Sequence, residues 1–218
     1  SCEPAKDTRD VQLRPGAIAA PKPFCSVVRD DFGYCRADTK LGNNMSLKMG
    51  IYLNSQHPED EDAGAHLRAI IEQVKLAERL GFDSVWAGEH HLTDGFHFFP
   101  QLALLSHLAA YSGDMNLGTN LVLLPLHPPV DIAEQVALID QLCGGRFILT
   151  LGQGYRQEEF DAFGVDMKDR LARFVDGIQV IRRLWSERDV DHETEWYSLA
   201  GATVRPAPAQ PGGPPIWI

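Results

Sequence analysis

Residues 86–93, Trp86-Ala87-Gly88-Glu89-His90-His91-Leu92-Thr93 (WAGEHHLT), carry the chain from an apolar run directly into a carboxylate and two imidazoles. The run Asp83 to Gly88 has the length and composition of a short buried strand. Polar side chains placed where a strand stops are candidates for site groups. The fold turns on how many other strands end in the same way.

Outward from this stretch the chain alternates short apolar runs with amphipathic helices. Lys48 to Asn54 is a first run, and Leu67, Ile70, Ile71, Val74, Ala77 and Leu80 then recur at spacings of three and four, with Gly81 as the helix stop. After Asp83 to Gly88 the pattern predicts a helix over about Gln101 to Tyr111. A third run, Leu117 to Leu124, suits a strand buried on both faces. Pro128-Pro129 opens a helix with Ile132, Val136, Ile139 and Leu142 inward, ended by Gly144-Gly145. Arg146 to Leu151 is the fourth run. A long helix carries Leu171, Phe174, Ile178, Ile181 and Trp185, and after an excursion through Trp196 to Val204 the segment "PPIWI" is the fifth run.

Strand-then-helix units imply a parallel sheet, because parallel neighbours need a helical crossover. An open doubly wound sheet usually places a glycine-rich phosphate loop after its first strand, and here that place is taken by the acidic "SQHPEDEDAG". A closed barrel instead puts functional groups at the carboxyl ends of several strands, and candidates stand at Asn54, Glu89 to His91, Asn120 and Gly152 to Tyr155. The distribution favours an α/β (β/α)8 TIM barrel. Such a barrel needs eight strands and about 250 residues, whereas five strands are found and the chain stops inside the fifth. The expectation is a fragment, the N-terminal five βα units.

A hydrophobic content of 44% with 23% charged residues is that of an ordinary globular chain and argues against disorder of the whole. The formal net charge of −10, with no basic patch to offset it, argues against nucleic acid or an anionic membrane as the main partner. No apolar run approaches the roughly 20 residues that cross a bilayer, and the N-terminus lacks a secretory pattern, so a cytoplasmic protein is expected. Residues 1–44 mix Pro, Gly and charges without periodicity and read as an irregular extension outside the fold, with residues 45–218 as the folded part. Cys2, Cys25 and Cys35 lie in that extension. Cys143, which has no partner at zinc or redox spacing, reads as a buried small hydrophobe.

Three stretches, "KMGIYLN" (48–54), "GFDSVWAGEHHLTDGF" (81–96) and the long segment from "NLGTN" (116–120) to "MKDR" (167–170), resemble the bacterial luciferase-like flavin monooxygenase family, in order along the chain. The resemblance implies a (β/α)8 barrel with reduced flavin at the carboxyl ends of the strands. It implies a monooxygenase that uses reduced FMN and O2 to oxygenate a small organic substrate. Related barrels bind a deazaflavin and transfer hydride without oxygen, and a non-catalytic flavin-binding fragment would keep the same strands; both alternatives stay open. No dinucleotide fingerprint is seen, so a separate flavin reductase is the expected source of reduced FMN. A homodimer or heterodimer is implied by the family's habit of pairing.

In an extended segment neighbouring side chains point to opposite faces, so Glu89 and His91 should share one side and His90 the other. Adjacent histidines lack the one-turn helical spacing of the common zinc signature, and no metal is expected. By resemblance, His90 matches the first histidine of the family's Glu-His-His motif, beside the flavin. Histidine's ordinary pKa near 6.5 suits that position for proton exchange. Glu89 and His91 complete the catalytic set, Glu89 as an orienting group; the alternative is a strand end capped by ordinary hydrogen bonds.

In "LGQGYRQEEF" (151–160), Gly152 and Gly154 would let backbone amides approach a flat ring or a phosphate, with Gln153 and Tyr155 beside them. Bacterial luciferase carries arginine where Gln153 stands, which puts the same phosphate anchor in doubt. The resemblance also implies a non-proline cis peptide at Asn120-Leu121, under the ring. Phe96, Phe98 and Phe99 in "DGFHFFPQ" (94–101) read either as core or as an apolar substrate pocket. His127 in "LHPP" (126–129) reads as a helix-start histidine, and Glu59 to Asp62 as a solvated loop.

Overall fold

In the computed structural model, which describes residues 47–218, the five apolar runs form one parallel sheet, the third run supplying two of its six strands. The extension expected over residues 1–44, with its three cysteines, lies outside the described residues. Along the chain run β1 (Gly50–Tyr52), β2 (Gln56–Pro58), α1 (Ala63–Leu80), β3 (Ser84–Ala87), β4 (Phe96–Phe98), α2 (Gln101–Leu108), β5 (Asn116–Thr119) and β6 (Val122–Leu123). Then come α3 (Pro129–Leu142), β7 (Phe147–Gly152), α4 (Gln157–Phe163), α5 (Arg170–Ser186), β8 (Val190–Glu193), β9 (Ser198–Ala202) and β10 (Ile216–Trp217).

The sheet order is β1-β3-β5-β7-β10, with β6 also on β7, and every pairing in it is parallel. A doubly wound sheet reverses its strand order at a switch point. Here each strand of the path pairs with the one before it and no reversal occurs, which is the progression of a (β/α)8 barrel. The described residues form four consecutive βα units of that α/β architecture and the strand of a fifth, where the sequence pattern suggested five whole units.

The core lies between the sheet and its helices. Val85, Leu117, Phe147 and Leu149 from the strands meet Ile70, Val74, Leu105, Val136 and Ile181 from the helices. Helix α1 starts where Asp62 Oδ1 accepts from the Gly64 N–H at 2.8 Å and stops at Gly81, whose φ is 78°. Its Ile70, Val74 and Ala77 are buried as the spacing predicts, but Leu67 and Leu80, and likewise Leu142 and Leu171, are exposed. Leu80, Leu142 and Leu171 each sit in a first or last helical turn. A strand of four residues spans about 13 Å, whereas a helix of 17 residues spans about 26 Å, so the helix ends overrun the sheet. Cys143 is buried, as expected of a small hydrophobe, and burial pushes its thiol pKa up.

On the opposite face of the sheet the Trp86 and Trp217 rings lie 5.3 Å apart. At the lower end the buried Asp140 carboxylate accepts from Gln210 N at 2.8 Å and Gln210 Nε2 at 2.7 Å, which ties the α3–β7 turn to the segment before β10. Two antiparallel excursions leave the barrel: β2 with β4, and β8 with β9. Among the described residues no helix is long and apolar enough to cross a membrane.

Candidate active site

At the carboxyl end of the sheet the strand ends surround a cavity of about 440 Å³. β1 contributes Tyr52 and the turn after β3 contributes Glu89 and His90; the junction of β5 and β6 contributes Asn120, Leu121 and Leu123. The end of β7 adds Leu151, Gly152, Gln153, Gly154 and Tyr155, α5 adds Phe174, and Ile218 follows β10. All six residues expected to contact a cofactor therefore line one space.

Its floor is built at an interruption of the sheet. β5 stops at Thr119 and β6 resumes at Val122, with a cis Asn120-Leu121 peptide between. The Asn120 N–H donates to Ala87 O at 2.6 Å, so this segment stays attached to β3. Thr119 Oγ1 donates to Thr150 O at 2.9 Å and accepts from Thr150 N at 2.8 Å, standing in for the ladder bonds missing toward β7. Gln101 Nε2 donates to Leu121 O at 3.1 Å from the first turn of α2. Gly152 packs directly against Leu121, and a Cβ at this position would run into that side chain.

Two polar networks flank the cavity; because β3 ends at Ala87 the strict alternation lapses, and Glu89 and His90 both line the space while His91 does not. On one side, Glu89 Oε2 accepts from the Leu123 N–H at 2.6 Å while its Oε1 lies 3.2 Å from His127 Nε2 and 3.4 Å from His91 Nε2. Burial would push this carboxyl up, but the neighbouring His127 and His91 imidazoles and the Leu123 N–H outweigh it and hold the pKa at about 2. On the other side, His90 Nδ1 lies 3.1 Å from Oε1 of Glu159, which also accepts from the His91 N–H at 3.0 Å and faces Arg156 Nη1 at 3.4 Å. The Glu159 side chain is 1% exposed and that of His90 35%.

Not every expected site residue arrives. His91 does not line the cavity; its ring turns outward to Phe163, 4.6 Å away, and His127, 5.6 Å away. The phenylalanines also fall short as a pocket wall. Because β4 pairs with β2 outside the barrel, Phe96 is exposed and Phe99 packs on the main core. Only Phe98 reaches the site, edge-on to His90 with ring centroids 5.3 Å apart. His127, expected as a simple helix-start residue, belongs to the Glu89 network. Glu159 was not singled out at all, although it and Phe163 lie one helical turn apart on α4 and so share a face.

Residues 47–218 match the sequence profile of luciferase-like monooxygenases. The chain belongs to this family. Among characterised members it is similar to 4-hydroxyprotoasukamycin monooxygenase of Streptomyces nodosus subsp. asukaensis, at 31% identity over 79% of this chain and 47% of that protein. It is also similar to the F420-dependent glucose-6-phosphate dehydrogenase of Amycolatopsis mediterranei, at 33% identity over 69% of this chain and 47% of that one. The crystal structure of monooxygenase RslO1 from Streptomyces bottropensis superposes with a TM-score of 0.73 and 30% identity, covering 78% of this chain and 52% of that chain. The chain thus spans about half the length of the relatives it matches. These relatives include both a monooxygenase and an F420-dependent dehydrogenase.

The cavity fits the ring of a flavin better than its phosphate. Leu121, Leu123 and Leu151 offer an apolar surface, and the Asn120 and Gln153 amides on the same lining offer hydrogen bonds. No Lys or Arg lines it among the described residues, and Arg156, one residue beyond, already faces Glu159. A separate grouping, Glu89, His91 and His127, brings three potential metal-ligand atoms within 4.8 Å of one another. Glu89 Oε2 accepts from the Leu123 N–H and its Oε1 faces His127 Nε2, whereas His91 Nε2 is buried without a hydrogen-bond partner.

Proposed function

We propose that this chain forms the flavin-ring half of a flavin-dependent monooxygenase, with His90 as the group that exchanges a proton at the ring. The observation that supports the reading best is the choice of titratable groups on the cavity wall. Glu89 stays ionised near neutrality because its pKa is held at about 2, and, apart from His90, the remaining titratable side chains there, Tyr52 and Tyr155, are phenols. An imidazole is the side chain whose ordinary range suits proton exchange there. When bound, reduced FMN supplies the electrons with which O2 is split, one oxygen atom entering an organic substrate and the other leaving as water.

The protein's own part is mechanical and electrostatic. Leu121 and Leu151 would hold the ring of a bound flavin, Asn120 and Gln153 could supply it with hydrogen bonds, and the apolar lining would limit water there. The reduced flavin comes from a separate reductase, and the working form is a dimer. A second reading has a specific support, the 33% identity to a deazaflavin-type dehydrogenase. In it His90 would take up or release a proton during hydride transfer, with no oxygen involved. A non-catalytic flavin-binding role is the third.

Anaerobic titration with reduced FMN and, separately, with reduced deazaflavin, followed by admission of O2 to native and His90→Ala protein, tests these readings. Tight FMN binding, with an oxygen-dependent absorbance change that His90→Ala alters, is the expected result. Binding of deazaflavin alone would move the protein to hydride transfer. Binding of neither would overturn the flavin assignment.

A further inference from the structure

We infer that Glu159 is the positioning residue of His90, fixing which ring nitrogen carries the proton. The inference rests on the reading of His90 as the proton-exchanging group. Glu159 comes from α4, 69 residues along the chain from His90, and its side chain is 1% exposed. One oxygen, Oε1, receives His90 Nδ1 at 3.1 Å, the His91 N–H at 3.0 Å and Arg156 Nη1 at 3.4 Å. The bond to the His91 N–H holds the main chain immediately after His90, and the bond to Nδ1 holds its ring. Phe98 meets the same ring edge-on. The imidazole is therefore gripped on two sides while the rest of it borders the cavity.

A carboxylate accepts and cannot donate, so the short contact requires the proton on Nδ1. In the neutral ring Nε2 is then left with its lone pair, able to accept a proton from a bound group. When it does so, the imidazolium remains paired with Glu159, and the new charge is compensated inside the protein. Arg156 balances the buried carboxylate in the resting state. An uncharged acceptor would suffice if the task were only to cap the His91 N–H. An isolated histidine favours the opposite tautomer, with the proton on Nε2, so the orientation imposed by Glu159 is a measurable departure.

Protein labelled with 15N-histidine, studied without any flavin at a pH where ordinary imidazoles are neutral, reports the tautomer directly through long-range proton–nitrogen correlations. His90 signals are assigned by their loss in His90→Gln. The expected spectrum places the proton on Nδ1 in the native protein and moves it toward Nε2 in Glu159→Ala. A native His90 protonated on Nε2 overturns the proposal, whatever the folding of any variant. So does a Glu159→Ala spectrum that keeps the proton on Nδ1. With flavin bound, Glu159→Gln should slow the proton-dependent step by up to about a hundredfold, the lower end of what proton transfer by a positioned side chain contributes, with Glu159→Asp recovering part of the rate and reduced-flavin affinity little changed. If His90→Ala leaves the flavin chemistry unaltered, the functional reading fails while the tautomer result stands on its own.

Discussion

Glu89 joins three segments at one carboxylate: the end of β3, the Leu123 N–H at the cavity floor, and His127 at the entry to α3. Its pKa is lowered from 4.5 to about 2, so the unfolded chain binds a proton more readily than the folded one. The stability this contributes is fully present above the unfolded value and is lost as pH falls through the folded one. The shift corresponds to about 3 kcal/mol as an upper figure. Glu89→Gln should therefore cost stability of that order at pH 7 in urea unfolding, and the gap to native protein should narrow as pH falls below about 5. A gap independent of pH would show that the carboxylate's charge is not what matters. The histidine tautomers, by contrast, had no sequence signal. Glu89 and His90 were legible because they stand where an apolar run stops. Glu159 was hidden in Glu158-Glu159, a pair that reads as solvated unless the helical turn linking Glu159 to Phe163 is noticed. His127 was seen but not its partner, because a contact across 38 residues leaves no local pattern.

At the scale of the elements, the break between β5 and β6 shapes the site more than any single strand does. It removes the regular ladder between Thr119 and Val122, and one hydroxyl, fully buried on Thr119, replaces two backbone bonds. Thr119→Val keeps the volume and leaves the Thr150 N–H and C=O without that partner, a loss of about 2 kcal/mol by the usual cost of unmet buried groups. Denaturant unfolding would measure it. Hydrogen exchange should show faster exchange at the Thr150 amide, while an unchanged amide would mean that another acceptor serves it. The apolar run Leu117 to Leu124 did not reveal this interruption, since each residue in it suits a continuous strand; only the family resemblance pointed to the Asn120-Leu121 bond. The five barrel strands and the long helices were readable from period and length. The β2–β4 ribbon was not, because two three-residue strands 40 residues apart carry too little pattern. Its position outside the barrel is what leaves Phe96 and Phe99 off the cavity and only Phe98 at His90.

For the whole molecule, the sequential sheet has two ends. Among the described residues β1 pairs only with β3, and β10 only with β7, so each presents one unpaired edge. The sheet face away from the helices carries Tyr52 at 54% and Trp217 at 51% exposure, next to Trp86. A barrel normally closes its edges on each other and fills this face with side chains from its remaining strands. Open edges together with exposed aromatics favour pairing with another copy. The net charge of −10 acts in the other direction, and its repulsion weakens as salt screens it. The 218-residue chain should therefore self-associate more strongly at high ionic strength than at low. Size-exclusion chromatography with light scattering over a range of chain concentrations and salt checks this, with masses above one chain that rise with salt as the expected result. A single-chain mass under every condition would mean that this face is already covered within the chain.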